Sequence, residues 1–413
     1  MALEYNRRTF IKGVSTASVV GMSGLAGCIG DDEPIPIGSI LPITGALEDF
    51  GPGMEDAMEV AVNEINDAGG ILGREVDWIP RDSETDPVQG EERYSELVTE
   101  HDVPAFVGAA SSGVSAPIAE NTADDQVMQV SPASTSPIFV DIGWDGDIKY
   151  FGRTAPNDGQ QGLVMAWVMN EVLEAETAAF LFIDNPYGEG LAEVNRGAFE
   201  GEDVGFVGYD EEDPDFSATL DSLFANDPET IGFVGYTGEG RSIMTLWDEG
   251  GYGGDWVLSE GLHASEFLTD LSDILEGFHI TTPDPEETPG RDAFADAFPG
   301  ELSGVFEPHT YDAMILIALA MHHSGEATGQ GVASSFMDIA VGPGEEVTAM
   351  EYAEAIDLLD DGEDIQYIGA SSPLDMNENR EALNPFAAQV IHGDGSTETI
   401  ETFPIQWFLD QGL

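Results

Sequence analysis

The sequence predicts an α/β protein with two lobes, each built on a doubly wound, parallel sheet. Short apolar runs alternate with segments in which apolar residues recur at helical spacing, and this alternation extends along most of the chain. A second alternating series begins near Tyr150. Hydrophobic residues make up 42% of the 413 residues, so the chain can bury a sizeable interior.

The first series occupies about residues 35–130. Residues 35–41 form an apolar strand candidate that ends at Pro42. From Met54 to Ile65 the apolar residues fall on one helical face and acids on the other, and the glycine pair 69–70 ends this helix. The remaining strand candidates of this series are residues 76–80, 104–108 and 127–130.

The second series has strand candidates and helical segments in the same alternation. Its strand candidates are residues 178–183, 204–209, 231–235 and 256–258, with helices near 158–173, 188–199, 216–224 and 239–249. A strand candidate at 278–281 leads into the Pro- and acid-rich connection 283–289. The final elements are a helix near 311–321 that is apolar on all sides, a helix near 350–359 and a strand at 386–392. Two such series predict a ligand cleft between the lobes, outside the carboxyl ends of the strands.

The net charge is extreme. Eighty Asp and Glu residues oppose 12 Lys and Arg residues, which gives a formal charge of −68. This excludes nucleic acid and anionic membrane surfaces as preferred partners, because both need basic stripes. The acids are spread along the whole chain, and the composition resembles that of proteins from extremely halophilic archaea. We therefore expect folding to require molar salt, which screens the repulsion between the acids.

The first 27 residues have the features of an export signal, and residues 28–34 form a linker. Arg7 and Arg8 precede a short, weakly apolar stretch, and this start resembles a twin-arginine signal. Residues 25–28 resemble a lipobox, which implies cleavage before Cys28 and lipidation of its sulfur. Cys28 is the only cysteine, so no disulfide can form within the chain. We expect an exported protein that is lipid-anchored to the outer face of the cytoplasmic membrane.

Several short strings, in order and with matching spacing, resemble the leucine/isoleucine/valine-binding proteins. They are residues 65–73 (Ile-Asn-Asp-Ala-Gly-Gly-Ile-Leu-Gly), Asp82, Asp86-Pro87, Gly108 to Ser112 with Pro117, residues 131–137 (Ser-Pro-Ala-Ser-Thr-Ser-Pro) and Tyr187-Gly188-Glu189-Gly190. The resemblance covers about residues 35–392. It implies the type I periplasmic-binding-protein fold, with two Rossmann-like lobes joined by hinge strands. We expect residues 35–153 and 282–377 to form lobe 1 and residues 154–281 and 378–413 to form lobe 2.

The resemblance also implies a set of ligand-binding positions. Two lobe 1 loops would hold an α-carboxylate through hydroxyls and backbone N–H groups, and a lobe 2 acid, Glu260, would hold an ammonium group. Tyr187 and Tyr236 would be cleft aromatics of lobe 2, Phe50 would replace a cleft Tyr, and Phe306 would be the side-chain wall of lobe 1. The loop residues are Ser111, Ser112, Ala133, Ser134 and Thr135.

Five of these assignments have a plainer structural alternative. Ser112 and Thr135 are also suitable helix N-caps. Tyr187 and Tyr236 could instead pack in the core or at a helix start. Most glutamates in so acidic a chain are solvated, so the choice of Glu260 depends on the resemblance alone.

No motif predicts catalysis, a metal or a cofactor. His322 and His323 are adjacent on a helix and point about 100° apart, so they cannot clamp one metal ion. The segment 375–386 starts like a calcium loop but lacks its glycine and its final glutamate. We expect no enzyme activity.

The resemblance implies a monomeric solute receptor of an ATP-driven importer that binds a branched-chain or other hydrophobic α-amino acid. Its partners would be permease and ATPase subunits. Receptors of this fold for urea, short amides or aromatic acids are the alternatives, as is a ligand sensor read by a separate membrane protein. An extracellular hydrolase is a further alternative, which no nucleophile motif supports.

Overall fold

The computed structural model describes residues 33–211, 213, 215–284, 288–300, 302 and 305–412. The predicted signal, with Arg7, Arg8 and Cys28, lies outside these residues. The strands in chain order are β1 Ile35–Leu41, β2 Val76–Asp82, β3 Ala105–Gly108, β4 Met128–Ser131, β5 Trp144–Asp145, β6 Ile148–Lys149, β7 Phe151–Arg153, β8 Thr177–Ile183, β9 Glu202–Tyr209, β10 Thr230–Val234, β11 Asp255–Leu258, β12 His279–Pro283, β13 Glu345–Thr348, β14 Ile365–Ile368, β15 Phe386–Ile391 and β16 Thr397–Phe403.

The helices surround these strands. In chain order they are α1 Gly51–Asp67, α2 Pro87–His101, α3 Ser112–Asp125, α4 Asp158–Trp167, α5 Pro186–Ala198, α6 Ser217–Leu223, α7 Thr237–Gly250, α8 Ser265–Asp270, α9 Ser272–Leu275, α10 Pro289–Ala297, α11 Glu307–Ser324, α12 Gly329–Ala340, α13 Tyr352–Asp360 and α14 Ile405–Gln411. Helix α4 continues as a π-turn, Val168–Val172. Short 3₁₀ turns occupy Pro137–Val140 and Glu260–Leu262.

Lobe 1 contains a five-stranded parallel sheet in the order β2-β1-β3-β4-β7. Residues of β1 are almost all buried because helices cover both faces of the sheet, which explains the unbroken apolar run at 35–41. Helix α11 packs on α1, α12, α13, β3 and β4. All residues from Glu307 to Met321 are buried, so the predicted all-round apolar helix is confirmed. The described residues include no helix with the length and apolarity needed to cross a membrane.

Lobe 2 contains a seven-stranded sheet in the order β16-β15-β12-β11-β10-β8-β9. The strands β12, β11, β10, β8 and β9 are parallel to one another. Strands β15 and β16 run antiparallel to their neighbours. The predicted parallel-sheet lobes are confirmed, and the antiparallel strands β15 and β16 extend one edge of this sheet. The sequence interpretation missed β16, because Thr397–Phe403 is mostly polar and exposed, as an edge strand tolerates.

Three connections join the two lobes: from β7 to α4, from β12 to α10, and from β14, which pairs with β13 in a separate two-stranded sheet, to β15. A buried ion pair links two of these connections, because Arg153 pairs with Glu381. The second guanidinium nitrogen of Arg153 donates to the carbonyls of Ser134 and Ser136, at 2.9 and 2.8 Å. The residue boundaries that divide the two lobes remain a prediction.

Candidate functional site

A cavity lies between the two sheets, at the carboxyl ends of the parallel strands. Loops after β1, β3 and β4 supply one side, and loops after β8, β10 and β11 supply the other. Eight of the ten ligand-binding positions that the sequence predicts line it: Phe50, Ser111, Ser112, Ala133, Tyr187, Tyr236, Glu260 and Phe306. The family strings therefore predicted which loops would meet, although the residues lie as far apart in the chain as 50 and 306.

The lobe 1 wall of the cavity is mainly apolar. Phe50 lies directly before α1, and its ring centroid is 6.0 Å from that of Phe306, which directly precedes α11. Leu47 and Met54 complete this wall. Such a surface stabilises an aliphatic or aromatic group and offers it no hydrogen bond.

Two parallel tyrosine rings form the lobe 2 wall. Tyr187 and Tyr236 stack with centroids 5.4 Å apart and planes 7° apart. Tyr187 is held in the first turn of α5, where the Asn185 side chain accepts hydrogen bonds from the backbone N–H groups of Tyr187 and Gly188, each at 3.0 Å. Tyr236 is the N-cap of α7. Both tyrosines thus lie at helix starts and line the cavity as well, so the two interpretations of these residues are compatible.

The two lobes touch directly across the cavity. The hydroxyl oxygens of Ser111 and Tyr236 are 3.0 Å apart, and both side chains are buried. In the first turn of α7, the N–H of Gly238 donates to the carbonyl of Ala46 at 3.2 Å. The described conformation is therefore a closed one.

The serine hydroxyls do not act as helix caps. Ser111 is the N-cap of α3 but makes no capping bond, and Ser112 Oγ instead accepts from the N–H of Ser136 at 3.2 Å. Thr135 does not cap a helix either, because the N-cap of the 3₁₀ turn after it is Ser136. The alternative that Ser112 and Thr135 are ordinary N-caps is wrong.

Ser134 and Thr135 are not part of the cavity lining. The Ser134 hydroxyl contacts the carbonyl of Ala110 at 3.0 Å and Ser115 Oγ at 2.8 Å, so it is used inside lobe 1. Thr135 is buried beside Asp158, whose N–H donates to the Thr135 carbonyl at 2.9 Å. The Thr135 hydroxyl is buried and makes no hydrogen bond of ordinary geometry. Ligand binding by these two side chains stays a prediction.

Glu260 is the carboxylate of the cavity wall. It is only 2% exposed, and its Oε2 accepts from the Tyr187 hydroxyl at 2.9 Å. The Tyr187 oxygen in turn lies 2.8 Å from Ser259 Oγ. Burial raises the pKa of Glu260, and hydrogen bonds from Tyr187 and Gln161 oppose that increase without cancelling it.

Asp158, which the sequence interpretation did not single out, is buried near Glu260 but is not part of the cavity lining. It is fully buried in the first turn of α4, and its carboxylate oxygens make no hydrogen bond of ordinary geometry. Burial raises its pKa well above the usual value, and the charge of Glu260 raises it further. The Thr135 hydroxyl lowers this pKa in part, and so does the charge of Arg153, whose guanidinium already pairs with Glu381. In the sequence, Asn157-Asp158 looks like an ordinary helix start, since acids are common in a first turn.

The polar end of the site therefore has too many acceptors. Asp158 and Glu260 are buried near each other, and Gln161 Oε1 beside them also has no partner. A buried carboxylate needs either a proton or a cationic donor. Among the described residues no group of three or more His, Cys, Asp or Glu side chains is arranged to hold a metal ion. An ammonium group has three N–H donors and fits this end of the site.

Comparisons with known proteins agree with this geometry. The sequence model of the periplasmic binding protein family matches residues 34–359. The chain is 30% identical over 391 residues to the chemotactic signal transduction system substrate-binding protein BasB of Halobacterium salinarum, and 92% of each chain is covered. It is 28% identical over 328 residues to the leucine-, isoleucine-, valine-, threonine- and alanine-binding protein of Pseudomonas aeruginosa, covering 77% of this chain and 86% of that protein.

A solved structure shows the same fold. The leucine-binding protein LivK from Thermotoga maritima superposes with a TM-score of 0.75 at 22% identity, covering 90% of this chain and 99% of that one. Both this superposition and the family match span the two lobes. The chain therefore belongs to the periplasmic binding protein family.

Proposed function

We propose that this protein is a solute receptor that binds a branched-chain or other hydrophobic α-amino acid between its two lobes. One observation carries the proposal: the buried carboxylate of Glu260 lines a cavity whose other wall is Phe50, Met54 and Phe306, and a second buried carboxylate, Asp158, lies near Glu260 outside the lining. The ammonium group of the ligand would balance the negative charge of the carboxylates. The aliphatic side chain of the ligand would pack on the phenylalanines.

The ligand carboxylate would lie at the start of α3. Ser111 and Ser112 line the cavity there, and the N-terminus of a helix favours an anion. Each buried charge then has a partner, which the closed cleft requires because it excludes water.

The alternative ligands would leave the buried negative charge of this site without a cation. Urea and short amides carry no positive charge, and neither do aromatic acids. Each of them would close the cleft over Asp158 and Glu260 without a cation, at a cost of several kcal/mol by order of magnitude. An α-amino acid avoids this cost, which is why it is the preferred ligand class.

The biological setting has two candidates. Relatives of the chain are named as binding proteins, and membership in the periplasmic binding protein family places the protein outside the cytoplasm. One candidate is delivery of the ligand to the permease of an ATP-driven importer. The other is chemotaxis, favoured by the similarity to BasB over 92% of the chain. In either setting Cys28 would supply the lipid anchor, and the protein would bind its ligand without converting it.

A thermal-unfolding panel in multimolar salt tests the ligand class. A ligand that binds only the folded protein raises its stability in proportion to the logarithm of ligand concentration. We expect leucine, isoleucine or valine to raise the unfolding temperature, and urea, acetamide and benzoate to leave it unchanged. A matched series separates the two charges: isoamylamine lacks the carboxylate of leucine, and 4-methylpentanoate lacks the ammonium group. Stabilisation by 4-methylpentanoate but not by leucine would contradict the assignment of the acidic end.

A further inference from the structure

The side chain of Asn185 contacts the starts of two helices in lobe 2. Asn185 is the N-cap of α5, where its Oδ1 accepts from the backbone N–H groups of Tyr187 and Gly188, each at 3.0 Å. Its Nδ2 lies 3.4 Å from the hydroxyl oxygen of Tyr236, at the start of α7. Both polar atoms of the amide therefore have partners.

The two capping bonds fix the orientation of this amide. Backbone N–H groups only donate, so the atom that they contact must be the amide oxygen. The atom that faces Tyr236 is then the amide nitrogen, which offers hydrogens and accepts none. The Asn185 side chain can therefore donate a hydrogen bond to Tyr236, but it cannot accept one from it.

This orientation also fixes the direction of the next hydrogen bond. A phenol hydroxyl has a single hydrogen, and Tyr236 keeps it for donation because its oxygen accepts from Asn185. The other hydrogen-bond partner of this hydroxyl among the described residues is Ser111 Oγ, 3.0 Å away in lobe 1. In the bond that joins the two lobes, Tyr236 is therefore the donor and Ser111 is the acceptor.

Ser111 keeps its own hydroxyl hydrogen for the cavity. Ser111 is the N-cap of α3, but its hydroxyl makes no capping bond. Within the described part of the chain, Tyr236 is the only hydrogen-bond partner of this hydroxyl, and both residues line the cavity. The hydroxyl thus presents a donor to the ligand at the start of α3, which suits a carboxylate because a carboxylate has only acceptors. Asn185, Tyr236 and Ser111 form a hydrogen-bond relay that ends at the ligand.

The relay exists only when the lobes are closed. Asn185 and Tyr236 belong to lobe 2, and the bond from Tyr236 to Ser111 crosses the cleft. A Cβ atom at Gly113, in the first turn of α3, would lie 3.5 Å from Nδ2 of Asn185, so the amide also lies directly against lobe 1. In an open form the Ser111 hydroxyl loses its partner and can rotate. Closure therefore sets the direction of this hydroxyl as well as enclosing the ligand.

We propose that Asn185 is a positioning residue for ligand recognition, which acts through Tyr236 to orient the Ser111 hydroxyl as a donor to the ligand carboxylate. The inference rests on the proposed function, which puts an α-carboxylate at the start of α3, and it adds a residue that selects for that carboxylate. Hydrogen bonds in series strengthen one another, and those to a charged acceptor are the strong ones. Asn185 acts in this way although it does not line the cavity.

Asn185→Asp reverses the relay and tests the proposal. Asp is as good an N-cap as Asn, so the variant keeps the bonds that start α5. Its second carboxylate oxygen accepts from the Tyr236 hydroxyl, whose oxygen then accepts from Ser111, and Ser111 presents lone pairs to the ligand. Leucinamide is the matched ligand, since its NH2 group supplies donors where leucine has only acceptors. We expect the ratio of leucine affinity to leucinamide affinity, from isothermal titration in multimolar salt, to fall by a factor of about 10 or more.

Two controls separate the orientation of the relay from the added charge. Asn170→Asp adds the same charge to lobe 2, where the Asn170 amide bonds the backbone of Ala198 and Glu200, and should leave the ratio unchanged. In a Tyr236→Phe background no hydroxyl connects positions 185 and 111, so Asn185→Asp should again leave the ratio unchanged. An effect of equal size in this background would show that the charge acts directly, which would overturn the proposal.

Asn185→Ser is the second variant, and it supplies the measurement if Asn185→Asp does not fold. Ser is also a good N-cap, but it lacks the amide nitrogen that contacts Tyr236. The Ser111 hydroxyl can then take either direction, and the ratio should fall, but by less than in Asn185→Asp. An unchanged ratio in the Asn185 variants would overturn the proposal. Failure of the natural protein to bind leucine would instead contradict the proposed function, so the two failures are distinguishable.

Discussion

Tyr187 donates its hydroxyl hydrogen to Glu260 across 2.9 Å, and both side chains are at most 2% exposed. The tyrosine comes from the start of α5 and the glutamate from the turn after β11, so this bond joins two loops at the carboxyl edge of the lobe 2 sheet. It fixes the orientation of the carboxylate that faces the cavity. A carboxylate held in this way is a preorganised partner for a cation, because little side-chain freedom is lost on binding.

Replacing Glu260 by Gln should greatly weaken binding of the amino acid. The substitution keeps the shape of the side chain and removes its charge, which leaves the ligand ammonium group buried with one counterion fewer. We expect a cost of about 3 kcal/mol or more, which is about 100-fold or more in Kd. Isothermal titration with leucine in multimolar salt measures the effect. Tyr187→Phe is the matched comparison: it removes only one hydrogen bond to the carboxylate and should cost about tenfold. An unchanged Kd for Glu260→Gln refutes the role of this residue.

Replacing Asp158 by Asn should stabilise the free protein and weaken ligand binding. The pKa of Asp158 is raised in the folded state, so the folded protein binds its proton more tightly than the unfolded chain does. Stability is therefore lost as the pH rises from the unfolded pKa, about 3.9, through the raised folded value. Asn cannot ionise and avoids this loss, which amounts to about 1.4 kcal/mol for each unit of pKa difference.

Thermal unfolding without ligand, measured from about pH 4 to about pH 8, checks this prediction. The variant should unfold at a higher temperature than the natural protein near neutral pH, and the difference should shrink as the pH falls. Asp124→Asn, at an exposed position on α3, is the control and should show no such pattern. A variant that is less stable than the natural protein near neutral pH would show that Asp158 has a compensating partner.

Replacing Arg241 by Gln should favour the open form. Arg241, on α7, contacts Asp49 of the facing lobe at 3.1 Å and Asp270 of its own lobe at 2.8 Å. The Arg241 side chain is 31% exposed, so the interlobe pair is partly screened and should contribute at most about 1 kcal/mol. We expect leucine affinity to fall by a factor of about 2 to 5, with a larger radius of gyration in small-angle scattering without ligand.

Arg196→Gln is the matched control for this change. Arg196 pairs with Asp203 of the same lobe, on β9, at 2.5 Å, so its removal does not alter an interlobe contact. Equal effects of the two substitutions on leucine affinity would mean that the Arg241–Asp49 pair has no specific role in closure.

The folded state should require molar salt. The net charge of −68 means that acidic side chains repel one another along the whole chain. This repulsion becomes short-ranged only when the Debye length falls to about 3 Å, at about 1 M salt. We expect circular dichroism to show loss of most secondary structure after dialysis to about 50 mM salt and its recovery when salt is restored. An unchanged spectrum and unfolding temperature at low salt would contradict this prediction.

Local patterns predicted the lobe interiors well. The strand at 35–41 and the helix around 311–321 were recognisable because both faces of β1 and all sides of α11 are buried, so their sequences are apolar without interruption. The edge strand β16 gave no such signal. It is exposed at most positions, and its pairing with β15 depends on a partner strand and not on its own composition.

The residues of the site also differ in whether the sequence could predict them. The family strings located Glu260, Tyr187 and the serine loops, since each string is a local feature of one loop. They did not reveal Asp158, whose importance comes from its position beside Glu260, a residue 102 positions away in the chain. A first-turn aspartate is ordinary in sequence, and only its burial without a partner makes it unusual.

The sequence by itself determined the α/β class, the two-lobed organisation, the family and most of the cavity wall. These properties follow from periodicity and from short strings, which are local. The tertiary structure alone decided which lobe surfaces meet, that Ser111 bonds Tyr236 across the cleft, and that Asp158 and Glu260 share one buried environment. Contacts between residues more than 100 positions apart depend on how two sheets pack, and burial, which raises the pKa of both acids, exists only after that packing.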